Sequence, residues 1–183
     1  LHMTKVIVAG VDMVKFAKPG SQKSYREMAS TAIRGAVAEA GIDPSLIEQA
    51  YGSYIYGDST CAQHALYDAF MTGIPVINVN NNCSSGSTAI FMARQAVQSG
   101  AVECALAFGF EEMQPGALGS NWDDRESPFE NFLKVLEDNN YPKAPLALRC
   151  FGAAGHHYME KYGASPDLFA KVAVKTRNHA ALN

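Results

Sequence analysis

The stretch that decides the fold is residues 74–89, IPVINVNNNCSSGSTA. Residues 74–79 form a mostly apolar, β-branched run, which predicts a buried strand. Three asparagines follow, and then Cys83 precedes residues 87–98, where small and apolar residues recur at helical spacing. The pattern therefore predicts that Cys83 lies where a strand ends and a helix begins.

This position makes Cys83 the candidate nucleophile. The first N–H groups of a helix have no partner within it and the helix dipole is positive there, so a thiolate is stabilised. The same groups can donate to the oxygen of an acyl group attached to the sulfur. Cys83 could instead only pack, with the neighbouring serines as helix caps. The three asparagines at 80–82 favour the catalytic interpretation.

Strands and helices alternate on both sides of Cys83. Further strands are predicted at residues 5–10, 50–56 and 104–109, and helices at 24–40 and 61–71. Continuously apolar strands that alternate with helices are typical of a parallel sheet covered on both faces. The sequence thus predicts an α/β fold.

The chain changes character after Met113. Glycines, prolines and an Asp-Asn-Asn run interrupt a polar stretch that extends to residue 145, and this stretch is predicted to be rich in loops. Helical patterns resume at residues 148–162 and 166–181.

The composition excludes several classes of function. The 15 basic and 18 acidic residues are scattered, and the net charge of −3 gives no bulk attraction to nucleic acid or to an anionic membrane. No apolar run approaches the roughly 20 residues that span a bilayer, and no signal peptide is visible. Residues 1–3 are interpreted as the remnant of an expression tag. These features predict a cytoplasmic protein.

The other cysteines and the histidines are interpreted as structural. The cysteines show no CxxC spacing and no clustering with histidine, so we predict free thiols and no metal site. Packing is the expected role of Cys61, Cys104 and Cys150. The residues expected to be structural are His64, His156, His157 and His179, and those expected to support the following loop by hydrogen bonds are Glu111 and Glu112.

Residues 80–89, NNNCSSGSTA, closely resemble the nucleophile segment of the thiolases, specifically the sterol carrier protein (SCP-x) type. Other segments resemble the same family in the expected order, and they are residues 11–16, 56–61, 71–75, 108–113 and 157–163. The resemblance covers nearly the whole chain.

The resemblance implies a thiolase fold. In this fold two similar βαβαβαββ halves form a five-layered αβαβα body, and a loop domain is inserted in the first half. Residues 4–115 would be the N-terminal half with the nucleophile Cys83, and residues 116–183 would be part of the loop domain. The C-terminal half would be absent from this chain.

The resemblance also implies an activity. Cys83 would attack the keto carbon of a 3-oxoacyl-CoA and carry the acyl group, in thiolytic cleavage or in the reverse condensation, within lipid or sterol side-chain degradation. Coenzyme A would be a substrate, with no covalently bound cofactor. The family's catalytic histidines lie in HDCF-like and GHP segments that this sequence lacks. The expected partner is a second copy or a thiolase-like chain, and the expected compartment in a eukaryote is the peroxisome.

Two alternatives remain open at this point. The chain could belong to a thiolase-fold aldolase or condensing enzyme, although the aldolase branch usually lacks a nucleophilic cysteine, and Cys83 counts against it. It could also be a non-catalytic, half-length scaffold that pairs with another thiolase-like chain, which the missing histidine segments favour.

Overall fold

A computed structural model describes residues 5–116, 122 and 124–182 of the chain. The chain divides into two units, Leu1–Ala117 and Leu118–Asn183. Residues 1–3, predicted to be a tag remnant, lie outside the described residues. No helix of the described part is long and apolar enough to cross a membrane.

The first unit is built on a parallel sheet of three strands in the order β2-β1-β3. The central strand β1 is Gln49–Ser53, β2 is Val76–Val79 and β3 is Ala105–Gly109. Ala50 of β1 pairs with Val76 on one side and with Leu106 on the other. Three of the four predicted strands are therefore confirmed, with shorter bounds, and so is the α/β class.

Three helices cover the two faces of this sheet. They are α1 (Tyr25–Ala40), α2 (Cys61–Ala69) and α3 (Ser85–Gln98). Because neighbouring strand residues point to opposite faces, Ala50 packs with Ile33 of α1 and Leu66 of α2, whereas Tyr51 packs with alanines of α3. The result is a three-layered unit, with α1 and α2 on one face and α3 on the other.

Helix α1 is capped at both ends. The Ser24 hydroxyl accepts a hydrogen bond from the Glu27 N–H, and Gly41 ends the helix with a φ of 67°. That left-handed conformation is accessible to glycine without a steric cost. A short 3₁₀ helix, Pro44–Leu46, then leads to β1, with Asp43 as its cap.

The strand predicted at residues 5–10 is wrong for the structure described here. Ile7 and Val8 are 71% and 78% exposed, and the segment pairs with no strand among the described residues. It runs along α1 instead, where the Val11 N–H donates to the Glu39 carboxylate and Gly10 lies against Ala36 and Ala40. An apolar, β-branched run becomes a strand only when a neighbouring strand satisfies its backbone groups.

The second unit contains α4 (Glu130–Asp138), α5 (Leu146–Tyr162) and α6 (Asp167–Ala180). The last two confirm the predicted helices, but α4 lies within the stretch predicted to be loop. Its Leu136 is only 4% exposed, so one face of α4 is buried in this unit. The Arg149 guanidinium donates to the Tyr141 carbonyl at 2.8 Å, which ties α5 to the segment after α4.

Candidate active site at Cys83

Cys83 lies between the end of β2 and the start of α3, as predicted. It is the one exposed cysteine of the four, since Cys61 is buried and the other two are half-buried. Asn82, just before it, has a φ of 50°, a left-handed conformation that asparagine tolerates better than most residues. The tight turn places the thiol directly ahead of the helix.

A set of hydrogen bonds fixes this turn. The Ser84 N–H donates to the Asn81 carbonyl at 3.1 Å, and the Ser85 N–H donates to the Asn82 carbonyl at 3.0 Å. The buried Ser85 hydroxyl donates to the Asn82 carbonyl at 2.6 Å and accepts from the Asn81 N–H at 2.8 Å. Two of the asparagines therefore act through their backbone to hold the loop that presents Cys83.

These bonds narrow the choice of oxyanion donors. The first hydrogen bond into the helix runs from the Thr88 N–H to the Ser84 carbonyl, at 2.9 Å. The N–H groups of Gly86 and Ser87 precede it and find no acceptor in the part of the chain that the structure describes. Both residues are small and exposed. An acyl oxygen at Cys83 therefore has the Gly86 and Ser87 N–H groups among its candidate donors.

The loop after β1 lies next to the end of β2, just ahead of the segment that carries Cys83. It lines a cavity of about 180 Å³ together with the end of β2, and the lining residues are Tyr54, Ile55, Gly57, Ser59, Asn78, Val79 and Asn80. The Asn78 side-chain oxygen accepts from the Tyr54 hydroxyl at 3.0 Å and from the Ala62 N–H at 3.1 Å. The cavity thus ends at the asparagine segment that leads to Cys83.

Tyr56 of this loop lies within electrostatic range of Cys83. Burial raises the pKa of Tyr56, and the charges of Glu111 and Cys83 raise it further. The phenol is therefore neutral at ordinary pH and remains a hydrogen-bond donor. No pattern in the sequence singles out Tyr56, because its place within electrostatic range of Cys83 depends on the sheet.

Glu111 and Glu112 support segments other than the one predicted. The Glu111 carboxylate accepts from the Ile55 N–H and, at 3.3 Å, from the Tyr56 N–H. Glu112 accepts from the Tyr25 N–H, at the first residue of α1, at 2.8 Å. Burial raises the pKa of Glu111, although the two amide hydrogen bonds act in the opposite direction. Among the described residues, both glutamates thus bond to earlier parts of the chain.

A separate cluster surrounds Cys61. The Tyr25 hydroxyl lies 2.6 Å from the His64 Nδ1, and burial first, then the neighbouring Cys61, raises the pKa of Tyr25 to about 12. Cys61 itself is 8% exposed and packs with Tyr54 and Ala62. This cluster agrees with the structural roles expected for Cys61 and His64.

The remaining predicted groups lie elsewhere. Burial raises the pKa of Cys104, which packs against the sheet, and Cys150 lies on α5. His156 and His157 are exposed on α5, and the His156 Nδ1 lies 3.5 Å from the Glu160 carboxylate one turn on. Among the described residues no group of three or more His, Cys, Asp or Glu could hold a metal ion.

Comparison with known proteins gives one family. The sequence model described as "Thiolase, N-terminal domain" matches residues 6–183. Sterol carrier protein 2 of Oryctolagus cuniculus is 48% identical over 99% of this chain and 34% of its own length. The benzoylsuccinyl-CoA thiolase subunit BbsB of Thauera aromatica is 26% identical over 98% of this chain and 44% of its own length.

A solved structure shares the fold. The Ltp2-ChsH2(DUF35) aldolase superimposes with a TM-score of 0.68 and 21% identity, over 96% of this chain and 43% of that chain. At this identity the likeness concerns the fold alone. The present chain spans about a third of the length of the sterol carrier proteins that it matches.

Proposed function

Because this chain belongs to the thiolase family, whose N-terminal domain it contains, we propose that it supplies the nucleophile of a thiolase-type acyltransferase, Cys83. The predicted resemblance to thiolases of the sterol carrier protein type is confirmed by the family match and by a sterol carrier protein match that covers 99% of this chain. One observation carries the proposal. The exposed Cys83 thiol directly precedes α3, where the Gly86 and Ser87 N–H groups have no acceptor among the described residues.

The proposed reaction divides into two steps. The Cys83 thiolate attacks the keto carbon of a 3-oxoacyl-CoA, the carbon–carbon bond to the neighbouring carbon breaks, and the released acyl-CoA carbanion takes up a proton. The thiol of free CoA then loses its proton, attacks the Cys83 thioester and leaves with the shortened acyl group. Each attack creates an oxyanion that N–H donors at the start of a helix stabilise. The reverse sequence is a Claisen condensation.

The proton transfers need further groups. The thiolase resemblance expects them from two histidine segments that do not occur in residues 1–183. We therefore propose that another part of the protein, or a partner chain, supplies the general acid and base. The helix start can favour the thiolate and the oxyanion, but it cannot return protons to the carbanion.

Substrate, assembly and compartment belong to the same proposal. We propose acyl-CoA substrates derived from lipids or sterols, with CoA as co-substrate and no covalently bound cofactor. The names of two relatives support this, since one is a sterol carrier protein and the other a benzoylsuccinyl-CoA thiolase subunit. We propose a homodimer, or a pair with a thiolase-like chain, in the cytoplasm or, in a eukaryote, the peroxisome. The fold shared with an aldolase does not by itself favour aldolase chemistry, that is, carbon–carbon cleavage without an acyl-enzyme. The exposed Cys83 thiol favours a reaction that forms an acyl-enzyme.

Acyl transfer to Cys83 is the direct test. The intact gene product is mixed with acetoacetyl-CoA and free CoA, thioester loss is followed, and the Cys83 peptide is searched for an acetyl mass increment. We expect turnover and the increment in the wild type, and both should vanish in Cys83→Ala, with a rate at least about 10³-fold lower. Cys150→Ala is the matched control and should keep both.

Two outcomes would contradict the proposal. An increment on Cys61, Cys104 or Cys150 instead of Cys83 would refute the assignment of the nucleophile. Turnover by Cys83→Ala at the wild-type rate would refute covalent catalysis. The 183-residue chain alone is expected to show negligible thiolysis, since the expected histidine segments are missing from it.

A further inference from the structure

Two consecutive residues after β3, Phe110 and Glu111, hold the loop that follows β1. Phe110 continues the sheet, because its N–H donates to the Ser53 carbonyl at 3.1 Å, and its ring stacks on that of Tyr54 at 5.0 Å. Glu111 then receives the Ile55 and Tyr56 N–H groups on its two carboxylate oxygens. The loop is thus held by ring stacking at Phe110 and by carboxylate hydrogen bonds at Glu111.

The Glu111 carboxylate accepts hydrogen bonds that a neighbouring strand would otherwise accept. The Tyr54 N–H still pairs with β2, through the Val79 carbonyl at 3.3 Å. The next two N–H groups, of Ile55 and Tyr56, have no partner strand, and a partly buried N–H without an acceptor destabilises the fold. A carboxylate has acceptor sites for both at once. The course of the loop therefore depends on one side chain.

This loop is the wall that faces the nucleophile segment. Ile55 lines the cavity that ends at Asn80, and Tyr56 lies in the fields of both Glu111 and Cys83. We propose that Glu111 is a positioning residue for the Cys83 reaction, and that it acts by holding Ile55 and Tyr56 near the asparagine segment that leads to the thiol. This inference rests on the proposed acyl transfer at Cys83.

The charge of Glu111 matters as well as its shape. Glutamine has the same length but offers one acceptor oxygen, and its amide nitrogen would face the second N–H as a donor. Glu111→Gln therefore keeps the packing and frees one of the two loop N–H groups. Since burial raises the pKa of Glu111, the folded protein bears a cost for the charged form at neutral pH. Loss of that charge acts against the effect of the lost hydrogen bond on stability, so the Tm of the variant is measured alongside the loop position.

Glu112→Gln provides the matched control. The neighbouring carboxylate accepts from the Tyr25 N–H and has no bond to the 55–56 segment among the described residues. In the intact gene product, we expect Glu111→Gln to slow acylation of Cys83 by about 10- to 100-fold, the range that a displaced reactive geometry can cost. Glu112→Gln should stay within about threefold of the wild type.

Two readouts distinguish positioning from a general structural role. Hydrogen exchange should quicken at the Ile55 and Tyr56 amides in Glu111→Gln only. Titration by NMR with ring-labelled tyrosine should show a lower Tyr56 pKa in the same variant, because the Glu111 charge raises it. Equal slowing by both variants, or slowing by Glu111→Gln with unchanged exchange at 55–56, would overturn the inference.

A separate measurement keeps the inference testable if the proposed function fails. If the wild type forms no acyl-enzyme, the proposed function is refuted, and the alkylation rate of Cys83 with iodoacetamide replaces acylation. A faster or slower alkylation in Glu111→Gln but not in Glu112→Gln would support the positioning role. An unchanged rate in both variants would refute it.

Discussion

Replacement of Gly52 by alanine should displace α2 from the sheet. Gly52 lies in the central strand β1, and a Cβ atom there would lie under 3.0 Å from the Ala62 Cβ and 2.8 Å from the Phe108 Cζ. Ala62 is fully buried at the start of α2, and its Cβ cannot rotate away. The Phe108 ring alone would have to retreat by about 0.6 Å to reach an ordinary contact of 3.4 Å.

The expected cost is that of overpacking a core, about 1–3 kcal/mol. Against a domain stability of about 5–15 kcal/mol, this should lower the Tm by roughly 2–12 °C. Thermal unfolding followed by circular dichroism measures the shift. Gly73→Ala is the control, because nothing lies within 4 Å of its Cβ position, and it should stay within about 0.5 kcal/mol of the wild type. Equal stability of Gly52→Ala and Gly73→Ala would refute the close approach of β1 to α2.

Two further predictions concern α1 and the assembly. The hydrogen bond from Arg26 is the largest of several causes that lower the pKa of Asp68. The pair therefore stabilises the fold above the ordinary aspartate pKa of about 4, and this effect is lost as the pH falls through the lowered pKa. Asp68→Asn should therefore lower the Tm more at pH 7 than at pH 2, and an equal deficit at both pH values would contradict the ion pair. Light scattering of the intact gene product at micromolar concentration should give the mass of a dimer, whereas a folded monomer would count against the proposed assembly.

The elements that sequence predicts best are those fixed by local chemistry. Helix α1 follows from its serine cap, its apolar stripe and Gly41, which all lie within 18 residues of one another. The two wrong predictions, the strand at residues 5–10 and the loop where α4 lies, have other causes. Whether residues 5–10 form a strand depends on a neighbouring strand, and α4 is a short amphipathic helix among glycines and prolines that suggested a loop.

The site divides in the same way. The place of Cys83 ahead of α3 follows from the order of an apolar run, asparagines and small residues. The Ser84 and Ser85 N–H groups bond within the turn and so are not free to bind a ligand. That pairing depends on backbone angles such as the positive φ of Asn82. The bonds of Glu111 to Ile55 and Tyr56 span 56 and 55 positions of the sequence, respectively. No local pattern can reveal contacts at that separation.

The two outer strands of the sheet have a practical consequence for producing the protein. Within the described residues, β2 and β3 each pair with β1 alone, so each leaves one row of backbone donors and acceptors open. Such rows recruit strands from other molecules. That recruitment is second order in concentration, so slow expression, low temperature and dilute refolding favour the soluble chain over inclusion bodies.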